Sequence, residues 1–198
     1  VKMSTFITED ASRNEMVQHV YDVTYGTVRP GVDTLVVIDD SIVRGTTLKQ
    51  SIIRMLGRLQ PKKIIILSSA PQIRYPDCYG IDMSKMGDFI AFNAAVEVLT
   101  DKGRGQLLQD LWDKCKTLKE QGQLHTENVV RQMYKSSTIE EITNKIAEMI
   151  TPTDLNIPVQ VIFQSIEDLH KACPDNLGDW YFTGNYPTPG GKDRKSVV

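Results

Sequence analysis

Two short apolar runs constrain the fold of this 198-residue chain more than any other feature. Residues 35–38 and residues 64–67 are uninterrupted aliphatic stretches, which are typical of strands buried on both faces of a parallel sheet. Between them, apolar residues recur at helical spacing, and Gln60-Pro61 ends the pattern; these residues are Leu48, Ile52, Met55, Leu56 and Leu59. The pattern predicts a β-α-β unit with parallel strands and a right-handed crossover.

The rest of the chain is predicted to alternate helices with one further strand. A helix is expected over residues 107–118, with Trp112 and Cys115 packed on its apolar face. Thr138 and Glu141 have the spacing of a capping box and open a second helix, which Pro152 closes. The remaining expectations are a helical segment at 11–20, a strand at 159–163, a short helix at 165–171 and a frayed basic tail at 190–198.

Charge and composition exclude several classes of protein. Lys and Arg number 23 against 25 Asp and Glu, so the chain lacks the basic excess of a dedicated nucleic-acid binder. No apolar stretch approaches the roughly 18 residues of a membrane span, and no signal peptide is expected, since residues 1–5 are not followed by an apolar segment. Three scattered cysteines and three scattered histidines make a disulfide framework or a zinc site improbable and suit the cytoplasm.

The polar stretch after the first predicted strand carries the chemistry. Asp39 and Asp40 fall at the carboxyl end of that strand, where open α/β sheets bind ligands. The loop then runs into a helix N-terminus, which favours anions, and Gly45 lets its backbone approach a phosphate. The loop also offers donors from a cation, Arg44, and from hydroxyls at Ser41, Thr46 and Thr47.

Two acids beside a loop that favours anions predict a ligand that combines phosphate with hydroxyl groups or Mg²⁺. A ribose 5-phosphate unit has this combination. The alternative is a turn with a helix cap, which would explain one Asp and one Ser better than a ligand does. A turn with a helix cap does not explain the combination of two acids, a glycine and two threonines in residues 39–47. The stretch matches neither a Walker A loop nor a GxGxxG motif.

Residues 36–47 resemble the phosphoribosylpyrophosphate (PRPP) signature of type I phosphoribosyltransferases, and most closely its version in the amidophosphoribosyltransferase family. Three other stretches resemble that family in the same order along the chain: residues 5–7, residues 69–83 and residues 182–188. The resemblance implies an α/β fold with a type I phosphoribosyltransferase-like parallel sheet flanked by helices. It also implies that the chain is N-terminally truncated and carries a helical insertion at 93–137.

The same resemblance implies a site and a reaction. Asp39 and Asp40 would bind the ribose hydroxyls and Mg²⁺, and the loop would hold the 5-phosphate; the loop residues are Ser41, Ile42, Val43, Arg44, Gly45, Thr46 and Thr47. Ammonia would displace pyrophosphate to form 5-phosphoribosylamine, the first step of purine biosynthesis. Positioning and electrostatics would carry this step, so no catalytic side chain is expected.

The chain departs from the family pattern, and these departures predict that it lacks a glutaminase domain and an iron–sulfur cluster. Ammonia would come from an absent N-terminal glutaminase domain, and the full-length protein is expected to form a homo-oligomer. No iron–sulfur cluster is expected, because Gly178-Asp179-Trp180-Tyr181 replaces the family's CxxC and Cys78 lies one place from the cluster position. The predicted organisation is a phosphoribosyltransferase core at 1–92, helices at 93–150, a C-terminal segment at 151–189 and a flexible tail.

Other interpretations remain open. The same loop would serve a PRPP-sensing regulator without catalysis, or a type I phosphoribosyltransferase that uses another acceptor. Residues 79–82 are as well explained by a turn as by a place beside the sugar. Ile7 and Phe89 are expected to be core rather than an ammonia passage. The C-terminal aromatics, residues 180–182 and 186, are expected to dock on the domain rather than to stack on a ligand.

Overall fold

The computed structural model describes residues 26–77, 83–176 and 178–187. Within them three strands form a parallel sheet in the order β1-β2-β3, namely β1 (Thr34–Asp39), β2 (Lys63–Ser68) and β3 (Val159–Phe163). The predicted α/β class, the parallel pairing and the strand at 159–163 are confirmed. The expectations for residues 5–7, 11–20, 79–82 and 190–198 lie outside the described residues.

The first crossover begins with a π-helical turn, Leu48–Ile52, which leads into α1 (Ile53–Gly57). The other helices are α2 (Ile90–Asp101), α3 (Gly105–Glu120), α4 (Val130–Lys135), α5 (Ile139–Ile150), α6 (Ile166–Ala172) and α7 (Trp180–Thr183). Two 3₁₀ turns, Met86–Asp88 and Leu124–Thr126, complete the set in these ranges. Among the described helices, none combines the length and apolar character that a bilayer-spanning helix requires.

Helix boundaries follow local sequence signals. At the start of α5, the Thr138 hydroxyl accepts a hydrogen bond from the Glu141 amide at 3.1 Å, and the Glu141 carboxylate accepts one from the Thr138 amide at 2.7 Å. This confirms the predicted capping box. At the start of α6, the Ser165 hydroxyl accepts a hydrogen bond from the Asp168 amide at 3.0 Å. Both bonds satisfy amide groups that have no partner within the helix.

One face of the sheet is covered by helices. Ile64 and Ile66 of β2 are fully buried and Val161 of β3 is 4% exposed, and all three belong to the main hydrophobic cluster. Ile142, Ile146 and Ile150 of α5 belong to the same cluster, as do residues of α1, α2 and α4. Because side chains alternate along a strand, the residues at the intervening positions point away from this core.

The opposite face is partly exposed. Val36 is 55% exposed, Ile38 is 75% exposed and Ile162 is 43% exposed. The prediction that residues 35–38 form a strand buried on both faces is therefore wrong. The strand order explains the error, since successive crossovers that step in one direction with one handedness place their helices on the same side.

Helix α3 packs less tightly than its sequence predicts. Cys115 is buried, as expected, but Trp112 is 50% exposed, so the prediction that it packs in the core is wrong. The helix contacts the core through Leu107, Leu108 and Leu111. Trp112 lies about 100° further around the helix from Leu111 and falls at the edge of this stripe.

Candidate ligand pocket

A cavity of about 520 Å³ lies at the carboxyl end of β1. All nine residues of the predicted site, 39–47, line it. The other residues in its wall are Leu48, Ile52, Ala70, Ile73, Met83, Tyr181 and Phe182. The fold therefore brings the whole predicted loop to one cavity, at the edge of a parallel sheet where ligands commonly bind.

The two acids at the start of the loop differ in their surroundings. Asp39 ends β1 on the covered face and is half-buried, whereas Asp40 is exposed. The Asp40 amide donates a hydrogen bond to the Asp39 carboxylate at 3.1 Å. Partial burial, with a smaller contribution from the negative charge of Asp40, raises the pKa of Asp39 above its ordinary value. A cation placed between the two carboxylates would relieve both effects.

Ser69, the residue after β2, fixes the backbone of these acids. Its amide donates to the Asp39 carbonyl at 2.9 Å. Its hydroxyl lies 3.2 Å from the carbonyl oxygens of both Asp39 and Asp40. The two strand ends are thus joined at the point where the carboxylates enter the pocket. Ser69 is part of one of the motifs quoted above, but its sequence position gave no indication of this contact.

The loop is anchored on the protein side. Ile42 is 2% exposed, and the Val43 carbonyl accepts a hydrogen bond from the Ile90 amide at 2.8 Å. The Arg44 guanidinium lies 3.8 Å from the Asp88 carboxylate, which is itself 46% exposed. Such a long and partly exposed ion pair contributes little to stability.

Gly45 has a structural reason to be glycine. Its φ of +71° lies in the left-handed region that side chains disfavour. A Cβ there would lie 2.6 Å from Ile90 Cδ1 and 3.0 Å from Ile150 Cγ2. The space that a side chain would need is therefore taken by the core of α2 and α5. The close approach of a phosphate to this backbone stays a prediction.

The loop ends in a helix start of unusual geometry. The Gly45 carbonyl accepts a hydrogen bond from the Lys49 amide at 3.0 Å, and the π-helical turn follows directly. Thr47 makes no capping hydrogen bond with its side chain. Single π-helical turns are rare in proteins overall, but those that occur are often found at functional sites. The predicted helix is confirmed, but its apolar spacing did not reveal the π-helical turn.

The opposite wall of the pocket comes from the C-terminal segment. The Tyr181 carbonyl accepts hydrogen bonds from the Arg74 and Tyr75 amides at 2.8 and 3.0 Å. Its hydroxyl donates to Asp77 at 3.0 Å. Nearby, Tyr186 is 4% exposed and its hydroxyl donates to the Pro76 carbonyl. The aromatics dock on the domain, as predicted, but docking also places two of them in the pocket wall.

The segment after β2 is held to α5 by a buried polar network. The Arg74 guanidinium donates to the Gln72 side-chain oxygen at 2.7 Å and stacks 4.9 Å from the Tyr134 ring centroid. Gln72 in turn donates to the Thr143 hydroxyl at 2.8 Å. Burial lowers the pKa of Arg74, since its described partners are neutral. This network positions Ile73 in the pocket wall.

The donor set of the pocket fits Mg²⁺. Its carboxylates, Asp39 and Asp40, provide the hard oxygen ligands that this ion prefers. In the described parts of the chain, no group of three or more His, Cys, Asp and Glu side chains forms a metal site. Mg²⁺ is usually held by one or two carboxylates together with water or phosphate oxygens, and two carboxylates suit that pattern.

Phe89 is fully buried, which confirms the expectation that it belongs to the core. Ile7 and Cys78 lie outside the described residues, so the expectations for them are not tested.

Comparison with known proteins confirms the resemblance. The chain is 42% identical over 81 residues to an amidophosphoribosyltransferase of Escherichia coli (strain K12), which is 40% of this chain. It is 45% identical over 67 residues to the Haemophilus influenzae protein of that name, which is 34% of this chain. It is 40% identical over 88 residues to the Saccharomyces cerevisiae one, or 42% of this chain.

The matched regions are short relative to those relatives. They cover 16% of the Escherichia coli protein, 13% of the Haemophilus influenzae protein and 17% of the Saccharomyces cerevisiae protein. The chain therefore spans less than a fifth of the length of these curated relatives. No family model matches the chain, and no solved structure matches it significantly.

Proposed function

We propose that this chain is the PRPP-binding region of an amidophosphoribosyltransferase that acts in purine biosynthesis. One observation carries the proposal: all nine residues of the signature, 39–47, line a single cavity at the carboxyl end of a parallel strand. The relatives described above bear the name of that enzyme and support the assignment.

Each part of the pocket has a role in this proposal. The loop from Ser41 to Thr47 holds the 5-phosphate through its hydroxyls, its backbone and the Arg44 cation. Asp39 and Asp40 accept hydrogen bonds from the ribose hydroxyls and hold Mg²⁺. When bound there, Mg²⁺ would neutralise charge that develops on the departing pyrophosphate.

The protein's own contribution is positioning and exclusion of water. Ser69 holds the backbone of both acids in place through its hydrogen bonds. The pocket wall limits access of solvent to the sugar; its residues are Ile73, Met83, Tyr181 and Phe182. In the full-length protein, ammonia from a glutaminase domain would enter this pocket and displace pyrophosphate. Turnover is expected only there, because this chain supplies one part of the enzyme.

Calorimetric titration of the 198-residue chain with PRPP, with and without Mg²⁺, tests the assignment. We expect binding that depends on Mg²⁺ and falls at least about ten-fold in the Asp39→Asn and Asp40→Asn variants, because each removes a charged ligand. Asp33→Asn is the matched control, since Asp33 lies just before the start of β1, at the end opposite the pocket, and pairs with Arg29 at 2.6 Å.

The outcomes separate the alternatives. Equal affinity in the Asp39, Asp40 and Asp33 variants would refute the role of the acids. An ammonia-dependent assay of the full-length protein then decides between enzyme and sensor. Mg²⁺-dependent binding without formation of phosphoribosylamine would favour the sensor.

A further inference from the structure

A second cavity, of about 460 Å³, lies between α4 and the end of the C-terminal segment. It shares no lining residue with the first cavity. Its walls come from residues 126–128, from Arg131, Gln132 and Lys135, and from residues 184–186. We call it the α4 pocket. Nothing in the proposed function uses it.

Donor groups share one side of this pocket. Asn128, Arg131 and Lys135 are spaced at i, i+3 and i+7, which places them along one face of α4 and the turn before it. The Asn128 side-chain oxygen accepts a hydrogen bond from the Arg131 amide at 3.2 Å. Its side-chain nitrogen is buried and has no hydrogen-bond partner among the described residues. An unmet buried donor of this kind is costly.

The cation of Arg131 is surrounded by neutral groups. Its guanidinium donates to the Thr183 carbonyl at 2.7 Å and to the Asn185 side-chain oxygen. It also interacts with the Tyr75 hydroxyl. One helical turn further on, Lys135 is exposed and forms no ion pair with a described residue. Among the described residues, no carboxylate forms an ion pair with either of these two positive charges.

The acid in the pocket is already neutralised. The Glu127 carboxylate lies 2.7 Å from the Lys114 ammonium and accepts a hydrogen bond from the Gln132 side-chain nitrogen at 2.6 Å. These contacts, chiefly the one with Lys114, lower the pKa of Glu127 below its ordinary value. Glu127 is thus committed to Lys114, and the balance of charge at the α4 pocket is positive.

We propose that the α4 pocket binds a small, multiply charged anion of the phosphate class. Arg131 and Lys135 would provide the charge, and the amide of Asn128 would provide a further donor. Phosphate suits this set because several oxygens can accept hydrogen bonds at once. The site is separate from the PRPP pocket and would be occupied independently of it.

Nuclear magnetic resonance of the isotopically labelled 198-residue chain, titrated with inorganic phosphate at constant ionic strength, tests the proposal. We expect saturable shifts of the Asn128 side-chain amide and the Gly184 backbone amide. Lys135→Gln should weaken this binding roughly two- to five-fold, the worth of one partly exposed charge. Arg131→Gln should weaken it at least about ten-fold.

Two controls keep the test decisive. Arg131 also holds the C-terminal segment, so Lys135→Gln carries the test if the Arg131 variant does not fold. Lys119→Gln makes the same charge change at the exposed end of α3 and should leave the affinity unchanged. The proposal is overturned if chloride produces the same shifts, if Lys119→Gln weakens binding as much as Lys135→Gln, or if Asn128 and Gly184 do not respond.

Discussion

The two faces of the sheet have similar apolar side chains and very different surroundings. On the covered face, Ile64 and Ile66 are completely buried under α1, α2 and α5. On the other face, Val36 and Ile38 are more than half exposed. Parallel sheets usually have both faces covered. Apolar residues on both faces of a strand therefore show only that either face could be buried. The path of the chain decides which face the helices cover.

The comparison extends to the ligand pocket. Asp39 belongs to the covered set of β1, together with Leu35 and Val37, because side chains alternate along the strand. This placement half-buries its carboxyl group and raises its pKa. The packing that stabilises the fold thus also sets the electrostatics of the acid nearest to the core.

The largest expected difference is between two isoleucines on opposite faces. Ile66→Ala should lower the free energy of unfolding by about 2–5 kcal/mol, because it leaves a cavity in the core. Ile38→Ala, the matched change on the exposed face, should cost less than about 0.5 kcal/mol. Urea denaturation of both variants measures the difference. Equal losses would mean that the second face is also buried in solution.

A second prediction probes the crowding where the loop meets the covered face. Gly45→Ala should cost about 1–2 kcal/mol for its left-handed backbone, and a further ~1–3 kcal/mol for the overlap with Ile90 and Ile150. Gly31→Ala is the control, since Gly31 has a φ of +70° but nothing within 4 Å of its Cβ position. Identical losses of unfolding free energy would show that crowding contributes nothing.

The caps of a helix with buried residues and of a helix without any should differ less. Thr138→Ala removes the capping box of α5, which covers the sheet, and should cost about 1 kcal/mol. Ser165→Ala removes the cap of α6, which has no buried residue, so its loss should fray that helix with less effect on global unfolding. Thermal denaturation compares the two, and a larger loss for Ser165→Ala would contradict this ranking.

The smallest effect concerns pH. Since the pKa of Asp39 is raised, this carboxyl takes up a proton at a higher pH than an ordinary aspartate as pH falls. Mg²⁺-dependent affinity for PRPP should begin to decline in that higher range. By linkage, ionisation of Asp39 disfavours the folded state, so Asp39→Asn should leave stability at pH 7 unchanged or slightly higher.

Titration calorimetry across pH and urea denaturation check these two statements. A destabilised Asp39→Asn variant would show that the ionised carboxylate stabilises the folded chain, contrary to the raised pKa. The role of Asp39 in ligand binding would remain a separate question for the affinity measurements.

Local patterns in the sequence were sufficient for several elements. The strand at 159–163, the helix after the loop and the capping box of Thr138 and Glu141 were all predicted, because each depends on residues a few positions apart. The loop at 39–47 was also predicted as one site. It is contiguous, so a strand followed by a helix brings its residues together without help from the rest of the chain.

Tertiary packing decided the remainder. Tyr181 and Phe182 join a pocket whose loop lies more than 130 positions earlier, and Trp112 stays half-exposed although its helix packs on the core. The sequence determined which segments form strands, helices and the loop that lines the pocket, because backbone propensity and periodicity are local. Only the tertiary structure decided which face of the sheet is buried and which distant side chains meet, because those contacts depend on how the elements pack against one another.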